Sequence, residues 1–268
     1  MSSAATELAS GKLLLDQPAE FVARLRISNA AKRGALDHEM LDALADTVRS
    51  LDARCLLLTG DGGVFSAGYD IGNLDEQQFE QRAEKLVAHP FHAAMEVLEA
   101  YEFPVVAALN GHAIGGGLEL ALTADIRIAA RGIRLGMPPA KLGLIYSHTG
   151  LQKFVDVIGL AHTNELFFTG RNIDAERALA IGLVNHVVEP DELGDAGVAL
   201  AAEIAANAPV SLRGNKRIIR ALRAASVDVS PELERELVEL RESCFATEDF
   251  REGVRAFGEK RKPIWRDR

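Results

Sequence analysis

Two short, wholly apolar runs, each closed by a glycine-rich turn, constrain the fold of this 268-residue chain most strongly. Residues 55–58 (CLLL) precede a turn with three glycines, and Val105–Leu109 precedes Asn110-Gly111 and three further glycines. Solid apolar runs of this length are typical of strands that are buried on both faces of a sheet. Apolar residues at helical spacing precede each run, over residues 36–51 and 86–98. This alternation predicts an α/β fold in which right-handed crossovers connect parallel strands.

The two halves of the chain differ in their remaining patterns. Residues 21–27 and 125–130 alternate between apolar and polar side chains, as half-buried strands do, and a helix is predicted over 117–123. Beyond Leu160 the patterns are mainly helical. Ser230-Pro231 is a favourable cap and first turn for one helix, and Thr247 opens another. The apolar stripes of these helices fit packing against another subunit and packing against the chain's own core equally well.

Charge and composition exclude several classes of function. The chain has 30 Lys and Arg against 39 Asp and Glu, a net charge of −9, which disfavours a nucleic-acid partner because such a protein must neutralise phosphates. Its apolar stretches are far shorter than the roughly 20 residues of a membrane helix, and no targeting segment is visible, so no membrane partner is expected. Cys55 and Cys244 lie in apolar surroundings and are expected to be reduced, which favours a cytoplasmic location.

The sequence lacks the common motifs for nucleotide cradles, zinc proteases and serine hydrolases, namely GxxxxGK[ST], GxGxxG, HExxH and GxSxG. His89 and His92 are three residues apart, but Pro90 lies between them and no carboxylate or cysteine cluster completes a ligand set. We therefore predict no metal site.

Two segments that follow the buried strands carry the chemistry. The second, NGHAIGGGLEL over residues 110–120, places three glycines before a helix, so bare amide groups and the positive end of the helix dipole face one point. Glu119 falls in the first turn of that helix and is a candidate general base or acid. The first, FSAGYDI over residues 65–71, supplies another loop of small residues. Two loops that each offer one N–H group predict an oxyanion hole.

These segments, together with ADIRIAA at residues 124–130 and AFGEKRKP at residues 256–263, resemble the crotonase (enoyl-CoA hydratase/isomerase) superfamily over residues 21–265. The resemblance implies a spiral of strand-strand-helix repeats in residues 1–200, which holds the acyl-CoA site, and a helical trimerisation region in residues 201–268. It also implies a homo-trimer, or a hexamer built from two trimers. The substrate would be an acyl-CoA thioester, so coenzyme A would enter with the substrate and no separate cofactor is expected.

The resemblance also implies roles for individual residues. The oxyanion hole would consist of the backbone amides of Tyr69 and Gly116, which would hold the thioester oxygen as it becomes an enolate oxygen. The adenine and pantetheine of the substrate would be lined by Ala67, Gly68, Asp70 and Ile71. Its phosphates would lie near Lys32 and Arg33. Its nucleotide would be reached across a subunit boundary by Phe257 and Lys260.

The reaction is left open between three hypotheses. Hydratases of this superfamily use two glutamates; Glu119 matches the first, but the position of the second is Pro139, which cannot titrate. MPPAKLGLIYSHTG over residues 137–150 resembles the methylmalonyl-CoA decarboxylase branch, in which Tyr146 would orient a substrate carboxylate. That branch commonly has Thr at position 138, where this chain has Pro138, so the threonine hydroxyl near the substrate is lost here. It also commonly has His at position 69, where this chain has Tyr69. The alternatives are an enoyl-CoA hydratase or isomerase that uses Glu119 as its sole acid/base, and a protein that acts by binding alone.

Overall fold

Residues 5–70, 89–226 and 229–266 are described by a computed structural model. Its strands and helices alternate through the first two thirds of the chain, and the remainder is helical. The strands are β1 (Thr6–Leu8), β2 (Leu13–Ala19), β3 (Val22–Ile27), β4 (Cys55–Gly60), β5 (Val64–Ser66), β6 (Val105–Leu109), β7 (His112–Ile114), β8 (Ile126–Ala130), β9 (Arg134–Gly136), β10 (Asn172–Asp174) and β11 (His186–Val188). The α-helices are α1 (His38–Ser50), α2 (His89–Ala100), α3 (Gly116–Thr123), α4 (His148–Thr169), α5 (Ala175–Ala180), α6 (Leu193–Ala205), α7 (Pro209–Ser226), α8 (Pro231–Phe245) and α9 (Glu248–Gly258).

The described strands form two sheets. The larger sheet has the order β1-β2-β3-β4-β6-β8-β11, and its strands from β3 to β11 are parallel neighbours. The smaller sheet has the order β10-β9-β7-β5, in which β5, β7 and β9 are parallel. Strands β4, β6 and β8 of the larger sheet are each followed in sequence by β5, β7 and β9 of the smaller one. This succession, with the helices that follow, is the strand-strand-helix spiral that the sequence resemblance implies.

The predicted strands and helices of the core are confirmed with small shifts at their ends. Strands β4 and β6 are almost wholly buried, as their solid apolar sequences predict. Helix α1 begins after Asp37, whose side chain accepts a hydrogen bond from the Met40 amide at 3.0 Å, and it turns Leu41 and Leu44 into the core. Part of the predicted helix over 86–98 lies outside the described residues; the described part begins with α2.

The C-terminal helices begin where their caps predict. The Ser230 hydroxyl accepts from the Leu233 amide at 3.2 Å, and the Thr247 hydroxyl accepts from the Phe250 amide at 3.1 Å. Helix α9 packs against the 3-10 helix Pro139–Leu142 so closely that a Cβ on Gly253 would lie 2.4 Å from a backbone oxygen there. The C-terminal region therefore covers the segment that leads to Tyr146.

The predicted boundary at residue 200 falls inside helix α6, which packs on strands β4 and β6 of the larger sheet. The division into a core and a C-terminal region stays a prediction. Helix α7, which follows, buries only Lys216 and leaves apolar side chains more than half exposed. These side chains are Val210, Ile218, Ile219 and Leu222. Within the described ranges, every helix is too short or too polar to cross a membrane.

Candidate active site

The two glycine-containing segments lie side by side at the ends of parallel strands. Strand β5 pairs with β7, which brings residues 64–66 beside residues 112–113. The Asn110 side chain accepts from the Gly60 amide at 2.8 Å and donates to the Gly62 oxygen at 2.6 Å, so it ties the turn after β4 to the turn after β6. A Cβ on Gly111 would lie 2.1 Å from the Gly63 oxygen, a distance that only glycine permits. The sequence predicted both loops, and the fold joins them.

Gly68 makes the closest contact between the two loops. Its φ is +88°, and a Cβ there would lie 2.8 Å from the Ile114 oxygen and 2.9 Å from the Gly116 nitrogen. The Ser66 hydroxyl accepts from the Gly68 amide at 3.1 Å and donates to the Gly34 oxygen at 2.8 Å, which fixes the loop from the opposite side. Position 68 therefore needs glycine both for its left-handed conformation and for its lack of a side chain.

The amides of Tyr69 and Gly116 are brought together by this contact. The Leu36 amide donates to the Gly68 oxygen at 2.8 Å, and the Asp70 amide donates to the Leu36 oxygen at 3.0 Å. In such a parallel bridge the intervening residue, Tyr69, turns its own amide away from Leu36. Gly116 is the first residue of α3 and has no acceptor inside the helix.

Neither amide donates a hydrogen bond to any group of the described residues. A Cβ on Gly116 would lie 3.6 Å from the Tyr69 nitrogen, which puts the two nitrogens within about 6 Å of each other. The ring of Phe91 on helix α2 would lie 3.4 Å from the same Cβ. Two unpaired donors at this separation, beside an aromatic wall, can hold one oxygen atom that gains negative charge.

Glu119 lies one helical turn beyond Gly116 and is 96% buried. The Tyr146 hydroxyl donates a hydrogen bond to its Oε2 atom. On the other side, the Lys153 Nζ atom lies 3.4 Å from its Oε1 atom and 3.1 Å from Oε1 of Glu99. Both oxygens of Glu119 are thus held by groups from separate parts of the chain.

Tyr146 is an un-ionised phenol in this environment. Burial is the main cause that raises its pKa well above the ordinary value of 10, and the negative charge of Glu119 raises it further. The positive charge of Arg241 on helix α8 acts in the opposite direction. The hydroxyl is therefore a hydrogen-bond donor whose proton, in this structure, is directed at Glu119.

Arg241 lies on the inner face of α8. Leu237, Arg241 and Cys244 follow helical spacing on that face, and the Cys244 sulfur accepts from the Ile145 amide at 3.3 Å. Arg241 is half-buried and forms no ion pair with any side chain in the described part of the chain.

The other predicted binding residues are distributed around these loops. Lys32 forms an ion pair with Asp70, and the Arg33 carbonyl accepts a hydrogen bond from the amide of the exposed Ala67 at 3.0 Å, so the loop of Lys32 and Arg33 and the loop of residues 65–70 share one rim. Burial raises the pKa of Tyr69 to about 12, with smaller effects of Asp37 and Asp70. Ile71 lies outside the described residues.

Pro138, Phe257 and Lys260 lie further along the chain. Pro138 precedes the 3-10 helix that begins at the buried Pro139. Position 139, where a hydratase would have its second glutamate, therefore carries no carboxyl group. Phe257 and Lys260 are exposed at the end of α9, and within the described ranges no hydrogen bond or ion pair joins them to the other predicted binding residues. Their predicted role stays a prediction.

Sequence reasoning missed Lys153 and Glu99. Lys153 occupies a position in the buried stripe of α4, beside Phe154, and a cation in an apolar stripe was the available signal. Glu99 follows the buried Leu98 on α2 and gave no comparable signal. No group of three or more His, Cys, Asp or Glu side chains that could hold a metal ion occurs among the described residues.

Comparison with known proteins agrees with this geometry. The family model described as enoyl-CoA hydratase/isomerase matches residues 22–268, and the chain belongs to this family, which is part of the crotonase superfamily. The chain is 37% identical over 226 residues to a short-chain-enoyl-CoA hydratase of Clostridium acetobutylicum, with 84% of each chain covered. It is 33% identical over 242 residues to the methylmalonyl-CoA decarboxylase of Escherichia coli, with 88% of each covered.

A solved structure of a methylmalonyl-CoA decarboxylase in complex with 2-nitronate-propionyl-CoA is also similar. It superposes with a TM-score of 0.85 at 30% identity, over 96% of this chain and 99% of that one. The family and fold that the sequence predicts are therefore confirmed.

The contact at Gly68 yields the first prediction. Gly68→Ala should lower the turnover of an acyl-CoA thioester about 100-fold, because the new methyl group must displace the Gly116 amide, and loss of one such donor has an effect of this size. Gly62→Ala is the matched control: its φ is +73°, but no atom lies within 4 Å of its Cβ. Both variants carry similar left-handed strain. Equal turnover by the two variants, both folded by circular dichroism, would contradict the assignment.

Proposed function

We propose that this protein binds an acyl-CoA thioester, stabilises its enolate with the Tyr69 and Gly116 amides, and decarboxylates a substrate of the methylmalonyl-CoA type. The proposal depends most on one observation: the hydroxyl of Tyr146, an uncharged side chain, donates a hydrogen bond to the Glu119 carboxylate. The position of the second hydratase glutamate is the buried Pro139. The solved methylmalonyl-CoA decarboxylase complex supports the proposal by overall similarity.

In the proposed reaction the bond between the α-carbon and the carboxylate breaks, CO₂ leaves, and the electron pair moves onto the thioester as an enolate. No base is needed to start this step, but the charge on the thioester oxygen must be stabilised. Removal of one amide donor from such a site costs about 3–4 kcal/mol of transition-state stabilisation. The enolate then takes up one proton at the α-carbon. Glu119 and Tyr146 are the groups that we propose deliver it, and solvent replaces it.

The charges around Tyr146 fit an anionic acyl group. A second carboxylate at position 139 would repel a substrate carboxylate, whereas a neutral hydroxyl can donate a hydrogen bond to it. Arg241, which has no counter-ion among the described residues, adds positive potential on the same side. Because the Tyr146 hydroxyl has one proton and donates it to Glu119 here, it must turn towards the substrate carboxylate on binding, or Glu119 must be protonated.

The alternative is hydration or isomerisation of an enoyl-CoA with Glu119 as the sole acid/base. Two observations favour it: Glu119 is buried one turn beyond the Gly116 amide, and Lys153 lies within ion-pair distance of its carboxylate. The relative from Clostridium acetobutylicum is named a short-chain-enoyl-CoA hydratase. A buried carboxylate beside an oxyanion site is a suitable general base.

A panel of thioesters assayed by mass spectrometry distinguishes the two reactions. We expect the wild-type protein to convert methylmalonyl-CoA into propionyl-CoA and CO₂, and Tyr146→Phe to lower the rate about 10- to 100-fold through loss of a hydrogen bond to a charged group. Tyr101→Phe is the matched control, because the Tyr101 hydroxyl donates to the Ala53 oxygen at 2.6 Å in another part of the core. Arg241→Met should impair turnover of the carboxylated substrate more than that of enoyl substrates.

The opposite outcome identifies the alternative. If no CO₂ forms while an enoyl-CoA is hydrated or isomerised, and this turnover disappears in Glu119→Gln, the decarboxylase proposal is wrong and Glu119 is the acid/base. A steep salt-dependent affinity for RNA, with no thioester turnover, would instead favour a protein that acts by binding.

The substrate's coenzyme A moiety would lie along the rim formed by Lys32, Arg33 and Ala67, with its phosphates near the two cations. No other cofactor takes part in the proposed reaction. We further propose that the protein is a trimer, or a hexamer of two trimers. In this assembly Phe257 and Lys260 would contact the nucleotide of the coenzyme A that is bound to a neighbouring subunit. Both are exposed at the end of α9 and are free to do so. The free, buried Cys55 and Cys244 fit a reducing, cytoplasmic location.

The exposed apolar face of α7 leads to a prediction about assembly. Sedimentation velocity should give the mass of three or six chains of 28.9 kDa. Replacing Ile218 and Leu222, which are 59% and 68% exposed, by glutamate should shift the protein to smaller species because charge is placed in an apolar interface. A wild-type protein that sediments as a monomer at micromolar concentration would contradict the proposed assembly.

A further inference from the structure

Lys153 is a buried cation that neither the family match nor the sequence motifs assign to the site. Its side chain is 6% exposed and lies on α4 beside the fully buried Phe154. A lone ammonium group in such a place is strongly disfavoured unless carboxylates neutralise it. Two do so: Glu99 at 3.1 Å, from helix α2, and Glu119 at 3.4 Å, from helix α3.

The ion cluster gives Glu119 two different partners. Its Oε1 atom faces the Lys153 ammonium, and its Oε2 atom accepts the Tyr146 hydroxyl hydrogen bond. A carboxylate that is held at both oxygens cannot rotate without breaking one of the two contacts. The side chain of Glu119 is 5% exposed, so water offers little replacement for either partner.

We propose that Lys153 is a positioning residue for Glu119: it holds one oxygen of this buried carboxylate, so that the second oxygen faces Tyr146. The inference rests on the proposed function in that Glu119 and Tyr146 are taken as the reacting groups. It deepens that function because Lys153 fixes the orientation of the carboxylate that accepts the Tyr146 hydrogen bond. The role is the same whether the reaction is decarboxylation or hydration.

Among the described residues, helices α2 and α4 pack against α3, and both contribute charges around Glu119. Helix α4 contributes Lys153, the turn before it contributes Tyr146, and α2 contributes Glu99. Arg241 acts through Tyr146 from α8. On α2, His92 lies within ion-pair distance of Glu96, and the two side chains are 44% and 64% exposed. Lys153 is the cation in direct contact with the Glu119 carboxylate.

Substitutions at Lys153 and Glu99 should change how easily Glu119 is protonated, in opposite directions. The Glu99 side chain is 27% exposed, and it competes with Glu119 for the same ammonium group. Removal of the Lys153 charge should make protonation of Glu119 easier, because the anion loses its counter-ion. Removal of the Glu99 charge should make protonation of Glu119 harder, because a neighbouring anion disappears and the lysine is left to Glu119 alone.

The test is a pH titration of the Glu119 carboxyl group by infrared difference spectroscopy, with its band identified by its disappearance in Glu119→Gln. We expect the midpoint of protonation to move up by about 1 to 3 pH units in Lys153→Met, and to return towards the wild-type value in Lys153→Arg. We expect it to move down in Glu99→Gln. Lys216→Met is the matched control, since Lys216 is also buried and pairs with Asp125 at 2.7 Å away from the site.

An unchanged midpoint in a folded Lys153→Met variant overturns the proposal, as does a shift of equal size in Lys216→Met. If Lys153→Met does not fold, Glu99→Gln decides the matter on a protein that retains the lysine: a downward shift supports the proposal and no shift overturns it. The titration needs no thioester, so its failure is distinct from a failure of the proposed reaction in the substrate panel.

Discussion

The contact between Gly68 and the start of helix α3 is the constraint on which the site depends. With a Cβ at position 68 the Ile114 oxygen and the Gly116 nitrogen would be less than 3 Å away, so the two loops can approach only because that atom is absent. The contact places the Tyr69 and Gly116 amides together, and the pairing of Leu36 with residues 68 and 70 leaves the Tyr69 amide unpaired. The donors are fixed before any ligand arrives.

The two sheets explain how loops that are nearly fifty residues apart come to meet. Strands β4, β6 and β8 of the larger sheet each pass into a short strand of the smaller sheet, so β5 and β7 lie side by side. Helix α3 contributes two groups to the site: the amide of Gly116, its first residue, and the side chain of Glu119, which its first turn places in the core. There Tyr146 and Lys153 hold the two oxygens of that carboxylate. Backbone and side-chain chemistry are therefore positioned by one short helix.

Much of the fold could be predicted from the sequence because its signals are local. Apolar period, glycine turns and caps such as Ser230 and Thr247 depend on residues close in sequence, and the structure confirms them. Glu119 was a candidate for the same reason. The Lys153 pairs were not foreseen because they join three helices across the core. The hydrogen bond that commits Tyr146 to Glu119 likewise depends on tertiary placement, 27 residues apart in sequence.

The most direct measurement is the carbonyl stretching frequency of a bound, unreactive acyl-CoA thioester that carries ¹³C at its carbonyl carbon. If the Tyr69 and Gly116 amides both donate to that oxygen, the isotope-edited band should lie at lower frequency when bound than in water, because two fixed donors polarise the carbonyl more than mobile solvent does. The downshift should be lost in Gly68→Ala and kept in Gly62→Ala. A band at the solution frequency in the wild-type complex would contradict the account.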